Sequence, residues 1–81
     1  MAQLSPQALG QTVRGLRARR RLTQRQFGDV VGLKAQHVSE IELGRVNPSL
    51  RTLSAMASAL GLRTSELLAE AERHGRPGPE G

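Results

Sequence analysis

A short polar stretch, residues 35–40, carries the side chains best suited to molecular recognition in this sequence. On a helix, Ala35, Gln36, Ser39 and Glu40 lie at i, i+1, i+4 and i+5 and therefore share one face. The Gln36 amide offers a donor and an acceptor in one plane, as needed to bind adenine through two hydrogen bonds. Short side chains of mixed hydrogen-bonding character are suited to reading base edges in the major groove of DNA.

No comparable set of residues suggests catalysis. Asp29 is the only aspartate, the two histidines are far apart, and cysteine is absent. The sequence shows no Ser-His-Asp arrangement, no metal-ligand spacing and no phosphate-binding loop motif. We therefore expect a protein that is not an enzyme, with no cofactor, no metal ion and no small-molecule ligand.

Two short helices joined by a tight turn are predicted around the polar face. Thr23 and Gln26 have the spacing of a capping box, which begins a helix. Gly32 can adopt the left-handed conformation that ends a helix, and a second helix is expected from about Ala35 to Glu42. The residues expected on the buried sides are Phe27, Val30, Val31, Val38 and Ile41. This pattern is a helix-turn-helix.

Three further helices are predicted to hold this unit. They begin at Ser5–Pro6, at Ser49 and at Thr64 or Ser65, and they end near Arg20, Gly61 and Arg73 respectively. Their apolar residues at helical spacing are Leu9, Val13, Leu16, Leu50, Leu53, Met56, Ala57, Leu60, Leu67, Leu68 and Ala71. The sequence therefore predicts an all-α, compact five-helix domain over residues 5–73. Residues 1–4 are expected to be a flexible lead and residues 74–81 a disordered tail.

The positive charge is concentrated where the helix-turn-helix lies. The 81 residues have a net charge of +5, and residues 1–45 hold eight of the twelve basic residues but only three acidic ones. The arginine-rich end of the first helix is either a solvated face or a rim facing phosphates. No apolar run could span a membrane, and no signal-peptide pattern is present. We expect a DNA partner, no membrane partner and a cytoplasmic location.

Ordered motifs over most of the chain support a family resemblance. They are Val13, Arg14, Leu16 and Arg17; Leu22, Thr23 and Gln24; Val31 and Gly32; Val38, Ser39, Ile41 and Glu42; Gly44, Arg45, Asn47, Pro48, Ser49 and Leu50; and Leu53, Ala59, Leu60 and Gly61. With these motifs the chain resembles the lambda-repressor-like, Cro-type helix-turn-helix family of bacterial and phage regulators. The resemblance runs from about Leu9 to Leu68.

The resemblance implies a role for each matching position. The residues that would read bases are Lys34, Ala35, Gln36 and Glu40. The residues that would bind DNA phosphates are Thr23, Gln24, Arg17, Arg45 and Asn47. Arg17 and Glu42 would form a structural ion pair between the first and third helices. Glu40 could accept a hydrogen bond from cytosine or merely orient Lys34 or Gln36, and Ala35 could meet a thymine methyl or only permit close approach.

Three positions depart from the family pattern. Gly28 replaces a usual Ala where the second and third helices pack closely, which fits sterically but weakens the helix by roughly 1 kcal/mol. Lys34 stands where the family usually has a Ser or Thr cap, so the third helix is expected to lack a side-chain cap. Leu43 replaces a residue that is often polar, so one phosphate contact is expected to be missing.

The function expected from these features is transcriptional regulation through sequence-specific binding of double-stranded DNA. The protein would act as a repressor or autoregulator, as a homodimer on a palindromic operator, with the third helix in the major groove. Leu68 and Ala71 in the fifth helix are the residues expected at the dimer interface. The alternatives are an antitoxin that binds a protein toxin and represses its own promoter, and a controller protein of a restriction-modification system. A third alternative is a protein-bridging coactivator with little sequence preference.

Overall fold

The computed structural model describes residues 4–75, which form five α-helices and no strand. The helices are α1 Pro6–Arg19, α2 Gln24–Val31, α3 Ala35–Glu42, α4 Leu50–Ala59 and α5 Thr64–His74. The predicted all-α, five-helix architecture is confirmed. Of the expected lead and tail, residues 1–3 and 76–81 lie outside the described residues. His74, which the sequence assigned to the tail, is the last residue of α5.

Side chains at the predicted positions cap three of the helices. Ser5 Oγ accepts a hydrogen bond from the Ala8 N–H at 3.0 Å, with Pro6 at the first position of α1. The capping box of α2 is complete, because Thr23 and Gln26 each bind the other's backbone N–H. A third cap, Ser49 Oγ on the Thr52 N–H at 3.1 Å, begins α4. Local sequence therefore decides where these helices start.

The turn between α2 and α3 is made at Gly32, as the sequence predicts. Gly32 has a φ of 89°, in the left-handed region that glycine adopts without steric cost. Its N–H and that of Leu33 both donate to the Gly28 carbonyl, at 2.7 and 2.8 Å. These bonds satisfy the end of α2 and set the angle at which α3 leaves the turn.

The core is aliphatic and lies between all five helices. Phe27, the only aromatic residue, is fully buried. The remaining core residues are Leu9, Val13, Val38, Ile41, Leu53, Met56, Ala57, Leu60, Leu67 and Ala71. Every helix contributes to this cluster, so burying α1, α4 and α5 also holds the helix-turn-helix in place.

Two residues expected to be buried are exposed. Val30 is 65% exposed, and Leu50 is 76% exposed. At about 100° per residue, Phe27, Gly28 and Val31 share one arc of α2, and Val30 lies about 60° outside it. Leu50 is the first residue of α4, at the edge of the arc that contains Leu53, and it extends past the core. Both predictions were wrong because helical spacing alone does not define the width of a buried arc.

Close packing of α1 against α3 fixes the position of α3. A Cβ atom at Gly10 would lie 2.4 Å from the Glu42 carbonyl oxygen and 2.5 Å from that of Ile41. Glycine therefore lets the two backbones approach more closely than any other residue would allow. α1 also packs along α5, which completes the bundle behind the helix-turn-helix.

Within residues 4–75, no helix is both long enough and apolar enough to cross a membrane.

Candidate nucleic-acid interface

α3 is anchored on its inner side and presents polar groups on its outer side. Val38 and Ile41 are 1% exposed and form its contact with the core. Gln36 is exposed on the opposite side, while Ser39 and Glu40 are half-buried. Anchored in this way, the helix can hold its outer side chains in a fixed orientation toward a ligand.

Three of the four predicted base-reading residues line one groove. Lys34, Gln36 and Glu40 lie around an open groove of about 390 Å³, completed by Gly32, Leu33 and His37. Ala35 is half-buried and lines a neighbouring groove together with Arg25 and Asp29. Lys34 lines both grooves, so Ala35 shares a groove with Lys34 but not with Gln36 or Glu40.

His37 and Arg25 were not among the predicted site residues, yet each lines one of these grooves. In the sequence, His37 follows Gln36 on the predicted helix, which placed it at the edge of the base-reading face and not in a groove with Gln36. For Arg25 there was no signal, because its position depends on how α2 and α3 meet at the turn.

Lys34 occupies the N-cap position of α3 and makes no side-chain cap hydrogen bond. Its backbone, with φ −72° and ψ 151°, has the extended conformation of a capping residue. The third helix therefore lacks a side-chain cap, as the sequence predicts. The exposed ammonium group of Lys34 lies at the rim of the groove that contains Gln36.

Arg17 and Glu42 form a buried ion pair that joins α1 to the end of α3. Arg17 Nε lies 2.6 Å from Glu42 Oε2, and Nη2 lies 3.0 Å from Oε1. Arg17 Nη1 also donates to the Leu22 carbonyl at 2.7 Å, and Gln24 Nε2 donates to Glu42 Oε1 at 3.0 Å. The two charged side chains are 13% and 2% exposed. This network ties α1, the α1–α2 turn, α2 and α3 together.

The network restricts what Arg17 and Gln24 can offer to a phosphate. All three nitrogens of the Arg17 guanidinium already donate inside the protein, and the group is mostly buried. The Gln24 amide is held by Glu42, and its residue is half-buried. Arg17 therefore holds α3 in position through Glu42, and a contact between Arg17 and a DNA phosphate stays a prediction.

The other predicted phosphate-binding groups are accessible. Thr23 is exposed at the start of α2, where the first N–H groups of a helix have no partner within that helix. Arg45 and Asn47 are exposed in the loop between α3 and α4. The Arg45 N–H donates to the Glu40 carbonyl at 3.0 Å, which fixes the start of this loop to α3.

The two predicted dimer-interface residues have different environments. Ala71 is fully buried in the core of the monomer, so it presents no surface to a partner, and its assignment to an interface was wrong. Leu68 is half-buried and lines an apolar groove of about 280 Å³. The other residues of this groove, called the Leu68 groove below, are Leu4, Ser5, Pro6, Leu9, Asn47, Pro48 and Leu53.

Within residues 4–75, no three His, Asp or Glu side chains come close enough to share a metal ion.

Comparison with known proteins gives consistent matches. The family model described as Helix-turn-helix matches residues 13–67, more than half of the chain. The immunity repressor protein of Bacillus phage phi105 is 40% identical over 62 residues, which cover 76% of this chain and 43% of that protein. The chain spans about half the length of the curated relatives it matches first.

Two solved structures have the same fold. The clp gene regulator ClgR from Corynebacterium glutamicum superposes with a TM-score of 0.82 at 29% identity, covering 90% of this chain and 95% of that one. The restriction-modification controller protein C.AhdI from Aeromonas hydrophila superposes with a TM-score of 0.73 at 32% identity, covering 76% and 94%. The matching proteins are regulators, which supports the prediction that the chain is not an enzyme.

Proposed function

Because the chain belongs to the Helix-turn-helix family, we propose that it binds double-stranded DNA in a sequence-specific manner and regulates transcription. The phage relative is named an immunity repressor, which favours repression or autoregulation over other modes of control. A DNA-binding regulator of this kind would act at the bacterial nucleoid, in the cytoplasm.

The observation that carries this proposal is the outer side of α3. Lys34, Gln36 and Glu40 surround one open groove, while Val38 and Ile41 hold the opposite side of the helix in the core. A rigid helix that presents amide, ammonium and carboxylate groups to an open groove matches the donors and acceptors of base edges in the major groove.

The contacts divide into those that read sequence and those that position the protein. Gln36 would pair with adenine, Lys34 with guanine, and Glu40 would accept from cytosine or orient its neighbours. Ala35, in the adjoining groove, would permit close approach of the backbone. The phosphate contacts would come from Thr23, Gln24, Arg45 and Asn47, with Arg17 mainly holding α3 through Glu42.

A homodimer follows from how little DNA one short helix can read. α3 has eight residues and reaches only a few base pairs. Two copies related by two-fold symmetry would bind half-sites about 34 Å apart on a palindromic operator. The Leu68 groove offers an apolar surface for this contact, and the exposed Leu50 lies three residues before Leu53, which lines the groove.

Selection of bound duplexes from a random DNA pool, at near-physiological salt, tests the proposal. Recovery of a two-fold symmetric motif is expected, and its spacing would define the dimer geometry. A motif without symmetry would contradict the homodimer but not DNA recognition. Recovery of no motif from a folded protein would overturn sequence-specific binding.

A narrower role as a controller protein is favoured by one comparison. The likeness to C.AhdI, a restriction-modification controller protein, covers 76% of this chain and 94% of that one at 32% identity. An operator upstream of a restriction or methyltransferase gene would support this role. None of the relatives described above is named as an antitoxin, so the toxin-binding alternative gains no support.

A further inference from the structure

Five arginines lie in α1 and the turn after it, and their surroundings differ. They are Arg14, Arg17, Arg19, Arg20 and Arg21. Arg19 lines a small cleft between α1 and α5 together with Glu70 and His74. Arg20 reaches the turn between α4 and α5, where its Nη2 lies 2.9 Å from the position of a Cβ on Gly61. Both side chains point away from α3, so neither is placed to meet DNA bound there.

Arg14 lies on a different side of α1, at a cleft between α1, α2 and α3. This open cleft of about 220 Å³, called the Arg14 cleft below, is lined by Arg14, Arg17, Gln24, Ser39, Glu42 and Leu43. It adjoins the end of α3 and the first residue of α2. A DNA backbone that flanks α3 in the major groove would pass this opening.

The charges in the Arg14 cleft leave one cation without a counter-charge. Glu42 is neutralised by Arg17 through two hydrogen bonds, and it also accepts from Gln24. Ser39 and Leu43 are uncharged, and Leu43 offers no side-chain donor. Arg14 is exposed and has no ion-pair partner among residues 4–75. The cleft therefore has a net charge of +1, all of it on Arg14.

We propose that Arg14 binds a phosphate of the DNA backbone at the Arg14 cleft. A guanidinium binds a phosphate through two parallel hydrogen bonds, and an exposed cation at an open cleft can do so without breaking any internal contact. Leu43 lines the same cleft at the end of α3 and has no side-chain donor, so the free cation that the cleft offers to a phosphate comes from α1. This inference rests on the proposed binding of DNA, and it names an anchoring residue outside the helix-turn-helix.

The test compares Arg14→Ala with Arg19→Ala, its matched control. Both residues are exposed arginines of the same helix, and they differ in the side of α1 on which they lie. For Arg14→Ala we expect a roughly five- to twentyfold weaker Kd for duplex DNA and a salt slope reduced by about 0.9. Arg19→Ala should change Kd less than twofold, and Arg14→Lys should recover part of the loss because it retains the charge.

A methylphosphonate scan identifies the contact itself. Each duplex carries one neutral linkage in place of one phosphate, and Kd is measured for wild type and Arg14→Ala. We expect one linkage that weakens the wild type but leaves the variant unaffected. Thermal unfolding of each variant keeps a loss of folding from being mistaken for a loss of contact.

Several results would overturn the inference, and they differ from failure of DNA binding. If Arg14→Ala and Arg19→Ala weaken binding equally, the contribution of Arg14 is only general electrostatics and the cleft is not a phosphate site. If no linkage shows the expected pattern, the contact is absent. If the folded wild type binds no duplex even at low salt, both this inference and the proposed function are wrong.

Discussion

Neighbouring carboxylates in α3 have different roles because their surroundings differ. Glu40 is half-buried at a groove of the outer side, whereas Glu42 is almost completely buried against Arg17. The Glu42 carboxylate accepts three hydrogen bonds, which offset the cost of removing its charge from water. Glu40 is therefore available to a ligand, and Glu42 is committed to holding α3.

Loss of the Glu42 carboxylate should strongly destabilise the fold. Glu42→Ala would leave the mostly buried Arg17 guanidinium without its partner, and we expect the free energy of unfolding to fall by roughly 3 kcal/mol. Urea unfolding followed by circular dichroism measures this change. The control is Glu70→Ala, which removes the exposed ion pair with Arg73 and should cost about 0.5 kcal/mol or less. Equal effects of the two substitutions would show that the buried network is not stabilising α3.

Base-reading and phosphate-binding residues should respond differently to substitution. Gln36→Ala should relax discrimination at one base pair by about 1–3 kcal/mol, because the lost hydrogen bonds are specific to one base. Arg45→Ala should weaken binding to all duplexes alike and reduce the salt slope by about one unit. Titration of matched and single-mismatch duplexes over a range of salt concentrations measures both effects. If each variant showed the behaviour expected of the other, the assignment of these two residues would be wrong.

Among the helices, α1 decides the position of α3. Gly10 permits the close approach of the two backbones, and Arg17 holds the end of α3 from the same helix. Gly15, also in α1, has no atom within 4 Å of where a Cβ would lie. Two glycines in one helix thus differ in role, although nothing in their sequence context distinguishes them.

The contrast between the two glycines is directly testable. Gly10→Ala should lower the free energy of unfolding by roughly 2 kcal/mol or more, because the clashing atoms belong to the backbone and cannot rotate away. Gly15→Ala should raise it by about 0.5–1 kcal/mol through better helix propensity. Thermal and urea unfolding of both variants checks the prediction. Stabilisation by Gly10→Ala would mean that α1 and α3 are not closely packed.

Over the whole molecule, the exposed apolar side chains lie in two areas. Val30 and Leu43 belong to the helix-turn-helix region, whereas Leu50 and the Leu68 groove lie at the starts of α1 and α4. Two copies with a charge of +5 each would repel one another through their basic sides. The Leu68 groove shares no residue with the groove around Lys34, Gln36 and Glu40, so association through the Leu68 groove would leave that groove of α3 uncovered.

Arginine substitutions should therefore distinguish the dimer surface from other exposed apolar sites. Leu50→Arg is expected to convert a dimer to a monomer of 8.8 kDa, because a charge would be buried at the interface. Leu68→Arg should do the same if the variant remains folded. Val30→Arg is the control, since Val30 is also an exposed apolar residue but lies in α2. Sedimentation measures the mass, and dissociation by Val30→Arg alone would move the interface to α2.

The number and order of the helices could be predicted because their signals are local. Ser5, Thr23 and Ser49 bind backbone N–H groups three residues away, and Gly32 turns the chain by its own conformation. Burial depends on neighbours distant in sequence, which explains the errors at Val30 and Leu50. Ala71 was assigned to a surface because an apolar residue on a terminal helix can face either a partner or the core.

The sequence by itself determined the helical architecture, the capping residues of α1, α2 and α4 and the polar side of α3, since these follow from spacings of three to five residues. The family resemblance already implied that Arg17 pairs with Glu42, and only the tertiary structure decided which of the other α1 arginines lies at α5 and which faces the cleft beside α3. The reason is that successive arginines of a helix point in different directions. Which helix each arginine meets depends on how the other helices pack against α1.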